Sequence, residues 1–173
     1  MRFKLGQKLI DKLRNKKEKT QTSLEKKCRQ WRQIIKANAK SCGNNLYVGG
    51  FSFVNNNTEL GDYVHFNGMQ IHGMGNCKIG NHFHSGVECL IITSNHNYNN
   101  STAIPYDKTH IYKTVEIGDF VWMGSRVTIL PGAKIGEGVV IQAGSVVHGQ
   151  IPDYAVIGGN PAKVIKYRDI EHF

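Results

Sequence analysis

A repeat of six residues runs from 117 to 147 and limits the possible folds of this chain more than any other feature. An α-helix repeats near 3.6 residues and a β-strand at 2, so a period of six fits neither alone. It predicts an all-β solenoid of short strands and tight corners, with one inward anchor on each face. Glycine follows three of the anchors directly. The anchors are Ile117, Met123, Ile129, Ile135, Ile141 and Val147.

The same period is present, more weakly, before this stretch. It includes Val48, Val54, Leu60, Phe66 and, after one extra residue, Ile79, Ser85 and Ile91. The count then stops and restarts at Ile117. We therefore expect a projecting loop at residues 93–116, because long loops in compact domains are usually functional or disordered. Pro152 cannot donate to a strand ladder and predicts the end of the solenoid. The tail at 153–173 is compatible with either helix or strand.

The positive charge is concentrated in the first 44 residues. The net charge is +9, of which residues 1–44 contribute +11 and the remainder −2. Helical spacing predicts that residues 1–44 form a helical arm, and that residues 45–173 form the solenoid domain. The arm has two apolar stripes, one of Leu5, Leu9, Ile10 and Leu13 and one of Leu24, Cys28, Trp31, Ile34 and Ile35.

Two interpretations of this arm stay open. It is either a cap on the end of the solenoid or a basic amphipathic segment that contacts anionic lipid, a lipid-linked glycan or another phosphate-bearing substrate. Aromatic residues are sparse in the arm and it matches no recognised nucleic-acid-binding fold. We therefore expect no nucleic-acid partner.

The sequence also indicates a cellular location. The first twenty residues carry charges throughout, and no apolar run reaches the length of about 18 residues that a membrane span needs. The four cysteines show no paired spacing, which favours free thiols in a reducing compartment. We expect a cytoplasmic protein, with peripheral contact at the inner membrane face if the arm binds lipid.

Two short motifs, together with the hexads, resemble a known family. They are Val-Trp-Met-Gly-Ser at 121–125 and Gly-Gly-Asn-Pro-Ala-Lys at 158–163. Residues 46–168 are thereby similar to the hexapeptide-repeat acyltransferases, most closely to the sugar O- and N-acetyltransferases and the xenobiotic acetyltransferases. The resemblance implies a left-handed parallel β-helix, a homotrimer, and acetyl-CoA bound between neighbouring subunits with no metal.

The resemblance also implies a catalytic role for the projecting loop. In this family a loop histidine is the general base, and His96 in Asn95-His96-Asn97-Tyr98 occupies the matching place. A neutral imidazole can accept a proton from an acceptor hydroxyl at neutral pH. We expect Asn95 and Tyr98 to contact the substrate. His110 is a bystander or a contact to the acceptor.

Further site residues follow from the same resemblance. Trp122 matches a tryptophan near the thioester end of the cofactor channel, although a packed corner ring is the alternative. Asn67 lies near the position where sugar acetyltransferases carry an active-site asparagine or aspartate. Two turns are expected to contact the pantetheine arm. The basic residues after Asn-Pro-Ala either face the cofactor phosphates or form a solvated tail. These cofactor residues are Gly124, Ser125, Ala143, Gly144, Lys163, Lys166 and Arg168.

The expected function is acetyl-CoA-dependent transfer to a hydroxyl or amine of a carbohydrate, such as a surface-polysaccharide or lipopolysaccharide sugar. The acceptor attacks directly in a ternary complex. The loop also resembles xenobiotic enzymes through Ser101-Thr102 and Pro105-Tyr106, so an antibiotic acceptor is the alternative. Two other classes are a non-catalytic scaffold and a γ-type carbonic anhydrase with zinc on histidines. Its candidate ligands are His65, His72, His82 and His84.

Overall fold

One long helix and a series of short strands form the part of the chain that the structure describes. The computed structural model describes residues 2–171, with side chains from residue 12 onward except Asn15. The helix, α1, is Arg2–Asn38. The strands are β1 (Ser41–Cys42), β2 (Tyr47–Val48), β3 (Thr58–Leu60), β4 (His65–Phe66), β5 (Met69–His72), β6 (Cys77–Ile79), β7 (His84–Ser85), β8 (Cys89–Ile92), β9 (Ser94–His96), β10 (His110–Tyr112), β11 (Val115–Ile117), β12 (Trp122–Met123), β13 (Thr128–Ile129), β14 (Lys134–Ile135), β15 (Val140–Ile141), β16 (Val146–Val147), β17 (Gln150–Ile151), β18 (Ala155–Gly159) and β19 (Ala162–Tyr167).

Most strands wind into a three-sided solenoid of about six turns. Face A contains β1, β3, β6, β11, β14 and β17, paired in parallel. Face B contains β2, β4, β7, β12, β15 and β18, and face C contains β5, β8, β13 and β16. The chain visits faces A, B and C in turn. The fold is a left-handed parallel β-helix, as the family resemblance implied, with an N-terminal helix, as the helical spacing predicted.

The hexad anchors form the core. The six anchors between 117 and 147 are each at most 4% exposed, and the earlier anchors are buried as well. Full burial of one such side chain contributes about 1.5–3 kcal/mol, more than the roughly 0.5–1.5 kcal/mol of a ladder hydrogen bond. Strands of two residues are therefore held mainly by their anchors. The predicted hexad anchors are thus buried, and each of the longer strands β3, β5, β6, β8, β11 and β18 buries two residues.

The corner between faces A and B forces residues into the left-handed backbone conformation. Tyr63, His82 and Phe120 occupy this corner in successive turns with φ of 54° to 57°. That conformation costs a non-glycine residue about 1–2 kcal/mol. The backbone N–H of His82 donates to Asp62 O and that of Phe120 to Asn81 O, both at 2.8 Å. The three rings also stack, with centroids 4.7 Å and 4.9 Å apart. These contacts offset the backbone strain.

The last part of α1 closes the N-terminal end of the solenoid. Ile35 is fully buried and Trp31 packs against the core. The second apolar stripe was only partly correct, because Leu24 is 50% exposed and Ile34 is 41% exposed. Leu24 precedes the part of the helix that reaches the core, and Ile34 is on the flank of the face that carries Trp31 and Ile35.

Two other predictions for the arm concern its first apolar stripe and its boundary at residue 44. Leu13 is 59% exposed, while the side chains of Leu5, Leu9 and Ile10 lie outside the described residues. The helix ends at Asn38, and β1 pairs with β3 in the first turn of the solenoid. Residues 41–42 therefore join a sheet rather than the predicted helical arm, because their backbone groups bond to the strand above them.

The solenoid continues past Pro152, so the prediction that it ends there was wrong. Strand β18 pairs in parallel with β15, and Ile157 is buried beside Ile141. Pro152 occupies the corner between β17 and β18, outside both strands, so its missing N–H interrupts no ladder. The chain then turns at Asn160-Pro161, and β19 returns antiparallel to β18. The tail is thus a strand hairpin, not a helix.

Candidate active site

A hairpin leaves the solenoid at the corner between faces C and A. Strands β9 and β10 pair antiparallel, with His96 opposite His110. At the base, Lys113 N donates to Thr93 O at 2.9 Å, and the hydroxyl of Thr93, which is fully buried, donates to His72 O at 2.8 Å. The hairpin therefore presents His96 outside the core from an anchored base.

Two rings flank the exposed imidazole of His96. The Tyr106 ring stacks on it with centroids 3.7 Å apart and planes inclined by 13°. The His110 ring lies 4.7 Å away at 40°. His110 Nδ1 is 3.1 Å from Lys108 O, and a carbonyl can only accept, so Nδ1 carries the hydrogen. His96 is accessible and held from two sides.

A carboxylate closes the turn that carries Tyr106. Asp107 accepts hydrogen bonds from the backbone N–H and hydroxyl of Thr109, at 2.8 Å and 2.5 Å, and from those of Thr102, at 3.0 Å and 3.1 Å. These bonds, above all that from the Thr109 hydroxyl, hold the pKa of Asp107 well below its ordinary value. The carboxylate is therefore ionised at neutral pH and orders this turn.

A second group of predicted site residues lies on face B. Trp122 is 53% exposed on the outer side of β12, next to His84 on β7. Asn67 follows β4; its amide nitrogen donates to Ser85 O at 2.9 Å and lies 3.4 Å from His84 Nε2. The structure thus brings the Asn67 side chain close to His84 and places Trp122 opposite His84 on the neighbouring strand.

The outward side chains of face B form one row of rings. Tyr47, His65, His84 and Trp122 are cross-strand neighbours in successive turns, and we call them the face-B row. Burial lowers the pKa of His65, and the nearby His84 and His82 lower it further, so His65 is neutral at pH 7. Within the described residues, no group of three His, Cys, Asp or Glu side chains is arranged to hold a metal ion.

Small residues open the corner between faces B and C. A Cβ at Gly124 would lie 2.6 Å from Ala143 N, so the two turns approach as closely as their backbones allow. Gly144 has φ of 73° and no atom within 4 Å of the Cβ position, and its N–H donates to Ser125 O at 2.9 Å. The backbone at Ala143 and Gly144 is thus open to close approach by a ligand.

The basic residues of β19 are spread across face B. Gly159 N donates to Ser145 Oγ at 3.2 Å, which brings the hairpin turn and Lys163 toward the Gly144 corner. The strand then crosses the face through Lys166, and Arg168 Nη1 donates to Gly138 O at 2.9 Å. Gly138 is at the opposite A–B corner. The structure therefore does not bring Arg168 to Gly144, because β19 crosses the face between them.

The two groups of candidate residues lie on different sides of one chain. The hairpin with Asn95, His96 and Tyr98 starts at the C–A corner, which is opposite face B in a three-sided prism. Asn67 and Trp122 are on and beside face B. Within one chain the structure does not assemble the predicted site.

The sequence assigned three supporting residues no role in acyl transfer, and His84 is a candidate there only as a zinc ligand. Tyr106 was noted only as part of a motif, and its contact with His96 spans ten positions. Asp107 had a local signal, since an aspartate two residues before a threonine commonly caps a turn. His84 had a signal in its place, directly before an inward anchor and hence on the outer side of a strand.

Two comparisons with known proteins decide the family. A family model, bacterial transferase hexapeptide (six repeats), matches residues 114–149. The candidate lipopolysaccharide biosynthesis O-acetyl transferase WbbJ of Escherichia coli K12 is 36% identical over 126 residues, which cover 68% of this chain and 61% of WbbJ. This chain belongs to the hexapeptide-repeat transferases. The resemblance found in the sequence is confirmed.

Two further relatives of this hexapeptide-repeat transferase differ in acceptor. The structure of a galactoside acetyltransferase in complex with coenzyme A matches with a TM-score of 0.69 and 27% identity, over 79% of this chain and 68% of that one. A chloramphenicol acetyltransferase from Klebsiella aerogenes is 52% identical over 52 residues, or 30% of this chain and 25% of the relative. The chain thus spans less than two thirds of the curated relatives, WbbJ and the chloramphenicol enzyme.

Proposed function

We propose that this chain is an acetyl-CoA-dependent acetyltransferase that acts on a hydroxyl or amine of a carbohydrate. The observation that carries the proposal is the imidazole of His96, accessible on a hairpin outside the solenoid and held between Tyr106 and His110. The names of WbbJ and of the galactoside acetyltransferase support a carbohydrate acceptor. The coenzyme A complex of the latter supports the donor.

His96 acts as the general base in this proposal. Acetyl-CoA supplies an acetyl group activated as a thioester. The imidazole removes the proton of the acceptor oxygen or nitrogen as that atom forms its bond to the acetyl carbon. His96 then returns the proton to the sulfur as the carbon–sulfur bond breaks, so no covalent acetyl-enzyme forms. General-base catalysis of this kind typically contributes about 10² to 10⁴ in rate.

The B–C corner suits the pantetheine arm of the donor. The open backbone at Gly144 and Ala143 can exchange hydrogen bonds with its amides, and Gly124 and Ser125 continue that surface one turn earlier. Trp122 lies on the adjoining face, where its ring can contact the thioester end. Lys163 and Lys166 are exposed on β19 and can pair with phosphates.

The site requires a second copy of the chain, and we propose a homotrimer. His96 projects from the C–A corner while Asn67 and Trp122 belong to face B on the other side. In a closed three-fold ring the same two surfaces meet at every interface. The hairpin of one protomer then faces the Trp122 surface of its neighbour, and Asn95 and Tyr98 reach the acceptor.

Two finer points belong to the same proposal. The protein works in the cytoplasm, and the basic part of α1 makes peripheral contact with the inner membrane face or a lipid-linked glycan. An antibiotic acceptor is the second candidate, because the chloramphenicol acetyltransferase is 52% identical over its matched 52 residues. The Ser101-Thr102 and Pro105-Tyr106 pairs favour it as well.

Replacement of the base tests the proposal. Release of coenzyme A thiol is measured with free sugars, nucleotide-sugars, lipid-linked glycans and chloramphenicol as acceptors. With the preferred acceptor, His96→Ala should lower kcat by at least about 10² and leave the KM for acetyl-CoA nearly unchanged. His72→Ala, an exposed histidine on face C, is the matched control and should behave as wild type. Unchanged turnover in His96→Ala would remove the base assignment, and transfer to chloramphenicol alone would favour the second candidate.

A further inference from the structure

The face-B row is a stripe of rings on the surface of the solenoid. The proposed contact between Trp122 and the thioester does not explain the other three rings. Tyr47 and Trp122 are 47% and 53% exposed. The Tyr47 and His65 centroids are 5.3 Å apart with planes inclined by 47°, and those of His65 and His84 are 5.8 Å apart at 51°. At such angles neighbouring rings leave part of each other's faces uncovered. By contrast, the rings of Tyr63 and His82 at the A–B corner lie within 4° of parallel and cover each other.

The outer rows of the other faces have a different chemistry. On face A, charges alternate along Glu59, Lys78, Glu116 and Lys134, with Lys134 Nζ 3.5 Å from Glu116 Oε1. On face C the row is Gln70, Leu90, Thr128 and Val146. The outer rows of faces A and C are typical of surfaces that contact solvent or pack without a specific ligand. Three exposed rings and the half-buried His65 in one row indicate a binding surface instead, because exposed apolar patches commonly mark interaction sites.

The chemistry of the row fits a neutral, ring-shaped and hydroxyl-rich ligand. A pyranose has an apolar C–H face, which packs on aromatic rings, and a rim of hydroxyls. The imidazole of His65, which is neutral at pH 7, both donates and accepts hydrogen bonds, and the Asn67 amide beside His84 adds further groups. Within the row there is no Lys or Arg to pair with a phosphate. The surface therefore favours an uncharged glycan over a nucleotide.

The length and direction of the face-B row also favour a glycan as its ligand. Adjacent strands are about 4.8 Å apart, so Tyr47 and Trp122 are separated by about 14 Å along the face, more than one sugar ring spans. The row begins at β2, against which α1 packs, and ends beside the residues proposed to bind the donor. A glycan with several rings can lie along it with its reacting ring at Trp122.

We propose that Tyr47, His65 and His84 form an extended acceptor subsite that binds the additional rings of a neutral oligosaccharide. The proposal rests on the function proposed above and specifies its acceptor: a chain of two or more sugars rather than a monosaccharide or a compact drug. The residues of the subsite bind the non-reacting rings and are not catalytic.

The test compares acceptors of increasing length. Thiol release is measured for the full chain with glucose, maltose and maltotriose and with galactose and its disaccharide and trisaccharide. In the wild type, kcat/KM should rise at least about tenfold from the monosaccharide to the trisaccharide of the preferred sugar. Tyr47→Ala should lower the trisaccharide value by about three- to tenfold and leave the monosaccharide value unchanged. Tyr63→Ala, also 47% exposed but outside the row, is the matched control and should retain the full rise.

Each other outcome overturns the proposal in a distinguishable way. Equal kcat/KM for all lengths, or no saccharide accepted while chloramphenicol is, removes the extended subsite but leaves His96-dependent acetyl transfer intact. A change of oligomeric state in Tyr47→Ala, seen by light scattering, means that the row is an interface between copies of the chain. Absence of thiol release with every acceptor in the wild type removes the proposed function as well.

Discussion

The imidazole of His96 is exposed, yet its orientation is restricted by a neighbouring ring. Restricting an exposed side chain costs up to about 2 kcal/mol of rotamer entropy, and less for a ring with two torsions. An aromatic pair contributes about 0.5–1.5 kcal/mol beyond its buried area. The stack with Tyr106 at 3.7 Å is therefore of the size needed to select one rotamer, and His110 limits rotation on the other side.

Removal of the Tyr106 ring should lower turnover without weakening the binding of acetyl-CoA. Tyr106→Ala is expected to reduce kcat by about ten- to a hundredfold, because a misplaced catalytic group loses that much, while Tyr106→Phe keeps the stack and recovers most of it. The KM for acetyl-CoA should not change. Ile104→Ala, a neighbour with 98% exposure, is the control.

A measurement independent of activity supports the same test. The ring protons of His96 should show an upfield ring-current shift in NMR spectra, which Tyr106→Phe keeps and Tyr106→Ala loses. Normal kcat in Tyr106→Ala, with the shift lost, would show that the stack does not position the base.

Helix α1 has two parts that differ in burial. Its last turns pack on the core through Ile35, whereas every side chain described from residue 12 to 27 is exposed. That exposed part contains seven Lys or Arg and two Glu, with Leu13 and Leu24 eleven residues apart on one side. Among the described residues no helix is long and apolar enough to cross a bilayer. Each Lys or Arg near an anionic membrane contributes about 1 kcal/mol to the free energy of binding. The charged residues of this part therefore contribute more to membrane binding than its two leucines.

Binding of this helix to anionic lipid should therefore depend on charge and salt. Co-sedimentation with vesicles of phosphatidylcholine and phosphatidylserine is expected at low salt, and none with phosphatidylcholine alone. Replacing Lys16, Lys17, Lys19 and Lys26 by Gln should weaken binding by about 10² or more. The same replacement at Lys78 and Lys134 on face A is the control. Binding that survives high salt and the helix substitutions would contradict an electrostatic contact.

The whole molecule presents its candidate residues on opposite sides. Face B holds Asn67 and Trp122, and the hairpin with His96 leaves from the C–A corner. In the proposed mechanism a single protomer therefore carries two half-sites, and an assembly in which these surfaces meet completes the site.

Mixed assembly of two inactive variants tests this arrangement. His96→Ala and Trp122→Ala should each lose most activity. After joint unfolding and refolding at equal amounts, about a quarter of the interfaces in a random trimer should combine an intact His96 with an intact Trp122. Activity should return to about that fraction of wild type, and light scattering should show a trimer. If the refolded mixture is no more active than the two variants alone, both residues serve a site within one chain or Trp122 is not part of it.

The sequence predicted the repeating part of this structure well, and its errors occur where the repeat gives no information. Ile117 and Ile129 are buried as expected, because position within the hexad alone decides which side of a strand a residue faces. Pro152 predicted the end of the solenoid because a proline within a strand lacks the N–H that a ladder needs. The sequence does not show that Pro152 occupies a corner, where no ladder hydrogen bond is lost. Ile34 belongs to the predicted apolar stripe but is 41% exposed, because helical spacing does not show where the helix meets the solenoid.

The six-residue period determined the coil, its inward anchors and the place where a loop interrupts it, because each of these depends on residues close together in the chain. Tertiary structure alone decided that Tyr106 covers His96, that Arg168 bonds to Gly138 far from the Gly144 corner, and that the hairpin leaves opposite face B. Those contacts join residues from ten to thirty positions apart, or depend on which corner follows which face. No local pattern of side chains records such distances.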